Sequence, residues 1–168
     1  MIDKEHLIVA EIPRLRRYAR ALTGDAVAAD DLVQDCLERA WSRFRLWRRG
    51  SNLRAWLFTI MHNVHANALR KAQRRPAGLS LTEEIAGTED PRQQGAFEAL
   101  GLARALARLP EDQRAVVLLV GLEDMSYAEA AEILGVPVGT VRSRLARGRE
   151  RLRRLTGGND KKVVTRIK

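Results

Sequence analysis

Ser126-Tyr127-Ala128-Glu129-Ala130-Ala131-Glu132-Ile133-Leu134-Gly135-Val136-Pro137-Val138-Gly139-Thr140-Val141-Arg142-Ser143-Arg144-Leu145-Ala146-Arg147 reads as helix, tight turn, helix. Gly135 suits the left-handed position that ends a helix. The alanines 128, 130 and 131 let two helices approach closely. At about 100° per residue, Val138, Val141, Leu145, Gly148, Leu152 and Leu155 share one side of the second helix and are expected in a core. The other side carries Gly139, Ser143, Arg147 and Arg154, flanked by Arg142 and Arg144. Guanidinium can take two acceptors on guanine or grip a phosphate, and serine can bond either. This is the layout of a helix-turn-helix that offers its second helix to the DNA major groove. A solvated amphipathic helix is the plainer alternative, but seven arginines crowd residues 138–154.

Charge points the same way. The 168-residue chain carries 30 Lys+Arg against 21 Asp+Glu, a net charge of +9. A basic excess of this kind suits a polyanionic partner. Residues 1–76 are net +7 and residues 138–154 net +6, whereas residues 77–100 are net −4. Two basic blocks separated by an acidic stretch would suit two contact zones on one long polyanion. Cys36 is the one cysteine, which excludes an intramolecular disulfide and a multi-cysteine zinc site. The longest apolar run, Ala115–Leu122, falls far short of the roughly 20 residues that cross a bilayer. The amino terminus lacks a secretory pattern, so a cytoplasmic protein without membrane insertion is expected.

Helical periodicity dominates, with no sustained strand-type alternation. The pattern predicts helices over 4–22, with Pro13 starting or kinking the first, from Ala26 to about Leu46, and from Leu53 to about Arg75. Residues 78–95 read as a linker with a short helical piece at most. A second helical block starts near Ala96, and Pro110 breaks it before a helix through Gly121. The expected fold class is all-α: two small helical domains, 1–76 and 96–156, joined by a flexible acidic linker, 77–95. A polar tail, 157–168, is expected to be disordered.

In the third helix Thr59, Asn63, Asn67, Arg70, Lys71 and Arg74 recur at spacings of three or four, opposite a side expected to be buried: Trp56, Ile60 and Val64, with Leu57, Met61 and Ala68 nearby. Asparagine is a poor helix-interior residue, and contact with melted DNA is one reason to keep two of them a turn apart. Solvent-facing asparagines without a task are the alternative. Upstream, the segment 43–52 interleaves basic and aromatic residues, which suits base stacking beside phosphate contacts; Phe44 and Trp47 as core residues at a helix end is the other reading. On the second helix Asp31, Gln34, Asp35 and Glu38 share one side, while Val33, Cys36, Leu37, Ala40 and Trp41 are expected to pack inward. An acidic face suits a basic protein surface better than DNA, though it can equally be solubilising. His62 and His65 lie three apart on a helix without further ligands, so no metal or cofactor is expected. No nucleophile–base pair or phosphate loop indicates an enzyme.

Together these pieces resemble the extracytoplasmic-function sigma factors, the smallest group of the sigma-70 family. The resemblance rests on Leu15–Arg20, Asp30–Asp35, Leu53–Ile60, Leu109–Arg114 and Val136–Arg144, in order across residues 13–155. It implies sigma domains two and four, and a subunit that brings core RNA polymerase to particular promoters. The acidic face Asp31, Gln34, Asp35 and Glu38 would dock on the polymerase clamp helices, and domain four on the flap. The segment with Arg45, Trp47, Ser51 and Asn52 would hold a flipped base of the −10 element. Asn63 and Asn67, continued by Arg70, Lys71 and Arg74, would help recognise or melt it. Thr140, Arg142, Ser143, Arg144 and Arg147 match −35 reading positions; Ala146 stands where some relatives carry an aromatic. The acidic linker fits a path that mimics nucleic acid, and Asn52–Thr59 looks most like the general-stress members. An anti-sigma factor is the implied regulator of a stress or envelope response. Two alternatives remain: a sigma-like mimic that titrates the anti-sigma factor, and an autonomous dimeric helix-turn-helix regulator. Neither alternative needs all of these features.

Overall fold

The computed structural model describes residues 4–75 and 93–157, with side chains over 5–75 and 99–157. Described residues form seven α-helices and no strand: α1 (Lys4–Thr23), α2 (Ala26–Arg43), α3 (Leu53–Gln73), α4 (Gln93–Ala107), α5 (Glu111–Gly121), α6 (Tyr127–Leu134) and α7 (Val138–Leu155). The linker's body and the tail lie outside the described residues.

Local chemistry sets the boundaries. Asp25 caps α2 by accepting the Ala28 N–H at 2.9 Å, and Asn52 caps α3 by accepting the Ala55 N–H at 3.1 Å. Each cap satisfies one of the donors that a helix start leaves open. The second helix is shorter than its periodicity predicts. It stops at Arg43, and Phe44–Leu46 form a 3₁₀ turn that aims Phe44 inward. Pro13 does not start α1, which runs through it from Lys4. Ser126 and Glu129 form a reciprocal capping box on α6, and Gly135 ends that helix at φ +64°.

Helices α1 to α3 pack around Leu15, Tyr18, Leu22, Val33, Cys36, Leu57, Phe58 and Met61, all nearly or fully buried. Tyr18 meets the Phe58 ring edge-on, with centroids 5.0 Å apart. In the second block α5 is buried from Ala115 through Gly121. A helix apolar all round needs cover on every side. Here α6 and α7 cover part of it and α1 of the first block covers another part. The buried side chains of both blocks accordingly join one cluster. Gly148 allows α7 to lie against α5: a Cβ there would come within 2.7 Å of Val117 Cγ2.

Three expected core residues lie outside, among them Ala68, which is exposed toward the end of α3. Trp41 is 56% exposed, because α2 turns that edge away from α1 and α3. Val138, in the first turn of α7, is 37% exposed, while Val141, Leu145, Gly148 and Leu152 are buried as their spacing predicts.

Candidate nucleic-acid interface

The helix-turn-helix is built from α6 and α7, with α5 behind them. Ala130 and Ala131 are buried where the helices meet, and Val141 and Leu145 seat α7 on the core. This fixes the direction of the polar side. Arg142 and Arg147 are exposed. The Arg142 guanidinium lies over the Tyr127 ring, 6.0 Å from its centroid, which holds the cation outward without neutralising it. Ser143 donates its hydroxyl to the Thr140 backbone carbonyl at 3.1 Å, and both residues are half-buried. Arg144 is half-buried, and its Nε lies 3.2 Å from Asp112 Oδ2 on α5. Arg147 lines an open groove with Gln113, Ala146, Glu150, Arg151 and Arg154. The available contacts are therefore two free guanidiniums and one guanidinium held by a carboxylate.

On α3 the expected polar face exists. Asn63, Asn67, Arg70, Lys71 and Arg74 are exposed in succession, and Arg70 donates to Asn67 Oδ1 at 3.0 Å. Thr59 is half-buried and its hydroxyl donates to the Ala55 carbonyl, so it serves the helix. His62 is half-buried. Burial, aided by the neighbouring charges of His65, Arg144 and Arg70, lowers its pKa and keeps it neutral at pH 7. His65 is engaged differently: its Nε2 lies 3.2 Å from Glu111 Oε2. Among the described residues no cluster of three or more His, Cys, Asp or Glu could hold a metal.

The segment before α3 divides between packing and display. Phe44 is buried, 5.3 Å from the Trp47 ring and 6.2 Å from Trp56. Trp47 is half-buried in that aromatic group, while Arg45, Arg48, Arg49 and Ser51 are exposed. Ser51 donates its hydroxyl to the Arg48 carbonyl at 2.7 Å, which closes a tight loop. Asn52 has two partners: it caps α3 through Oδ1, and its Nδ2 donates to Glu129 Oε1 at 2.7 Å. In this arrangement it is not free for a base.

Asp31, Gln34, Asp35 and Glu38 are all exposed along α2. Gln34 donates to Glu38 at 3.2 Å. Trp41, on the same helix, and Leu46, in the turn that follows it, are exposed apolar side chains at 56% and 79%. Tryptophan is enriched among the residues that anchor interfaces, and the inward expectation for Trp41 had hidden this.

Three residues of consequence escaped the sequence reading. The Arg114 guanidinium donates to the carbonyls of Leu106, Ala107 and Leu109 at 2.8–2.9 Å, to that of Leu22 at 3.0 Å, and to Glu111. It thus caps the carboxyl ends of α4 and α1 together. Glu123 has a side chain with no exposure and receives Arg17 Nε and Nη2 at 3.1 and 2.9 Å. Burial raises its pKa, and Arg17 opposes that rise. Arg114 sits in the Leu109–Arg114 motif, but its partners are distant in sequence. Nothing local distinguishes Glu123 or Arg17 from surface charges.

Residues 8–62 match the family described as the Sigma2 domain of PhyR, and residues 99–152 match Sigma-70, region 4. The ECF RNA polymerase sigma factor EcfG of Rhodopseudomonas palustris is 41% identical over 145 residues, covering 86% of this chain and 80% of that protein. SigM of Mycobacterium tuberculosis is 37% identical over 144 residues, 86% of this chain and 72% of that one. The structure is similar to that of the sigma factor RpoE of Bartonella quintana, solved in complex with the anti-sigma factor NepR. The TM-score is 0.76 at 32% identity, over 95% of this chain and 99% of that one. With two family matches in order and such relatives along most of its length, the chain belongs to the extracytoplasmic-function sigma factors of RNA polymerase.

Proposed function

We propose that this protein brings core RNA polymerase to a subset of promoters, with α7 on the −35 element and α3 on the −10 element. Residues 1–76 form domain two, 77–95 the linker, 96–156 domain four and 157–168 the tail. Arg142, Ser143, Arg144 and Arg147, with Thr140, read the −35 element. Asn63, Asn67, Arg70, Lys71 and Arg74 engage the melted −10 strand, with Arg45, Trp47, Ser51 and Asn52 beside the flipped base. Asp31, Gln34, Asp35 and Glu38 dock on the polymerase clamp helices. The observation that carries this is one chain displaying two basic polar helix faces and a separate acidic face: the α2 and α7 faces fall within segments matched to the family, and the α3 face begins directly after the first of them. The role is one of binding, not catalysis, and it belongs in the cytoplasm. No helix among the described residues is long and apolar enough to cross a membrane. An anti-sigma factor controls the protein in a stress response; the RpoE structure with NepR supports that partner class.

Run-off transcription with purified core polymerase on genomic fragments tests this reading. Specific initiation that depends on the added protein is expected; its absence on every fragment would sink the proposal. One observation favours a second reading, that of an anti-sigma-binding mimic: the first family match is described by PhyR, whose solved relatives are named anti-anti-sigma factors. A mimic has no need of exposed arginines on α7. Binding to an anti-sigma factor without any initiation would select it.

A further inference from the structure

Among the described residues, polar contacts clasp domains two and four at four places. Arg17 on α1 grips Glu123, and its Nη2 also donates to the Leu122 carbonyl at 3.3 Å. Arg114 of α5 donates to Leu22 at the end of α1. His65 of α3 meets Glu111 of α5. Asn52, at the start of α3, donates to Glu129 of α6. Every hydrogen bond resolved for the Arg17 side chain crosses to domain four. The cations around Glu123 (Arg17, Arg14 and Arg54) all belong to domain two. Arg14 Nη1 lies 3.9 Å from Glu123 Oε2, which has no hydrogen bond.

This clasped form cannot occupy a bipartite promoter. Elements at −10 and −35 lie about 25 base pairs apart, roughly 85 Å at about 3.4 Å per pair. In the clasped form α3 packs directly on α6, which is itself packed on α7. With helices about 10 Å across, the two reading helices are within roughly 20 Å. One −10 candidate, Asn52, is also occupied by Glu129.

We infer that the contact of Arg17 with Glu123 is an autoinhibitory latch, holding the two domains in a closed form that must open before both promoter elements can be read. The inference rests on the promoter-recognition reading above. Charge burial makes such a latch releasable. A buried ion pair gains little net stability, because desolvation offsets its attraction, yet loss of one partner leaves the other charge uncompensated. Removing Arg17 takes from the buried Glu123 carboxylate the guanidinium that hydrogen-bonds it, leaving only the more distant charges of Arg14 and Arg54, and opening returns it to water. The closed fraction lowers the apparent activity in proportion to the open population. The acidic face of α2 lies outside the clasp and stays exposed in the closed form, so docking on the clamp helices should not depend on the latch.

The test uses the full chain: wild type, Arg17→Ala, and Arg17→Lys. Small-angle X-ray scattering reads closure, and single-round run-off transcription at limiting protein reads promoter use. Binding to a clamp-helix fragment serves as the control. Wild type should be compact. Arg17→Ala should expand and raise initiation by roughly 3- to 10-fold with clamp affinity unchanged, and Arg17→Lys, which keeps the cation, should stay closer to wild type in both. An extended wild type, or an Arg17→Ala protein unchanged in size or initiation, overturns the latch. Arg17→Gln, which keeps the stem's packing, replaces the alanine variant if circular dichroism shows that variant unfolded. If scattering behaves as expected while no variant initiates, promoter recognition fails and the closure itself stands.

Discussion

Gly148 illustrates how one residue sets the spacing of two helices. An alanine gains about 1 kcal/mol of helix propensity. It also drives a methyl to 2.7 Å from Val117 Cγ2, on a fully buried β-branched side chain that cannot swing aside. Overpacking of this kind costs about 1–3 kcal/mol and should win. Denaturant unfolding of Gly148→Ala should show a loss, and Val117→Ala in the same chain should recover part of it. Cys36 is governed by burial in the same way. Its thiol is fully buried, contacts the Leu57 carbonyl at 3.5 Å, and is pushed up to about 12, chiefly by desolvation. A thiolate is the reactive form, so alkylation should be negligible in the native protein and rapid only on unfolding. Rapid labelling under native conditions would contradict that burial. Arg147 is exposed on the side of α7 away from the core. Arg147→Ala should weaken −35 use while leaving core affinity intact, and lost core affinity would overturn its assignment. If its contact is to phosphate, the salt dependence of promoter binding should also fall by about one unit of slope.

Among the helices, α6 depends most on its ends. It is eight residues long, too short to persist without caps and tertiary support. Ser126 Oγ accepts the Glu129 N–H at 3.1 Å, and Glu129 accepts the Ser126 N–H at 2.8 Å. That Ser126 backbone bond is the main reason the Glu129 carboxyl sits below the usual range. A depressed carboxylate contributes stability that is present above its unfolded pKa and is lost as pH falls through the folded value. Ser126→Ala should cost about 1 kcal/mol. Glu129→Gln should flatten the acid limb of the stability profile, and equal acid sensitivity in both proteins would show that the carboxylate is not responsible. Caps of this kind are local, and Asp25, Asn52 and Gly135 lie where the turn chemistry predicts. The 3₁₀ turn at Phe44–Leu46 is less legible. Its helical periodicity continues, but burial of Phe44 beside Trp56 ends the α-helix early.

At the scale of the molecule, charge is sorted by direction: acidic on α2, basic on α3 and α7. Asp35→Lys should reduce affinity for core polymerase before promoter selectivity changes, measured by competition for core; unchanged affinity would remove α2 from the docking surface. The sequence by itself determined the all-α class, the turn at Gly135, the outward arginines of α7 and the asparagine face of α3. Those features follow from periods and propensities carried by neighbouring residues. The tertiary structure decided the rest. Trp41 and Val138 have apolar side chains at positions that the periodicity turns inward, and only the placement of adjacent helices leaves them open. Arg144 reads as a free cation until Asp112 is brought within 3.2 Å. The pairing of Arg17 with Glu123 joins residues 106 positions apart. No local pattern encodes it, because the desolvation that makes Glu123 consequential exists only once the two domains close over it.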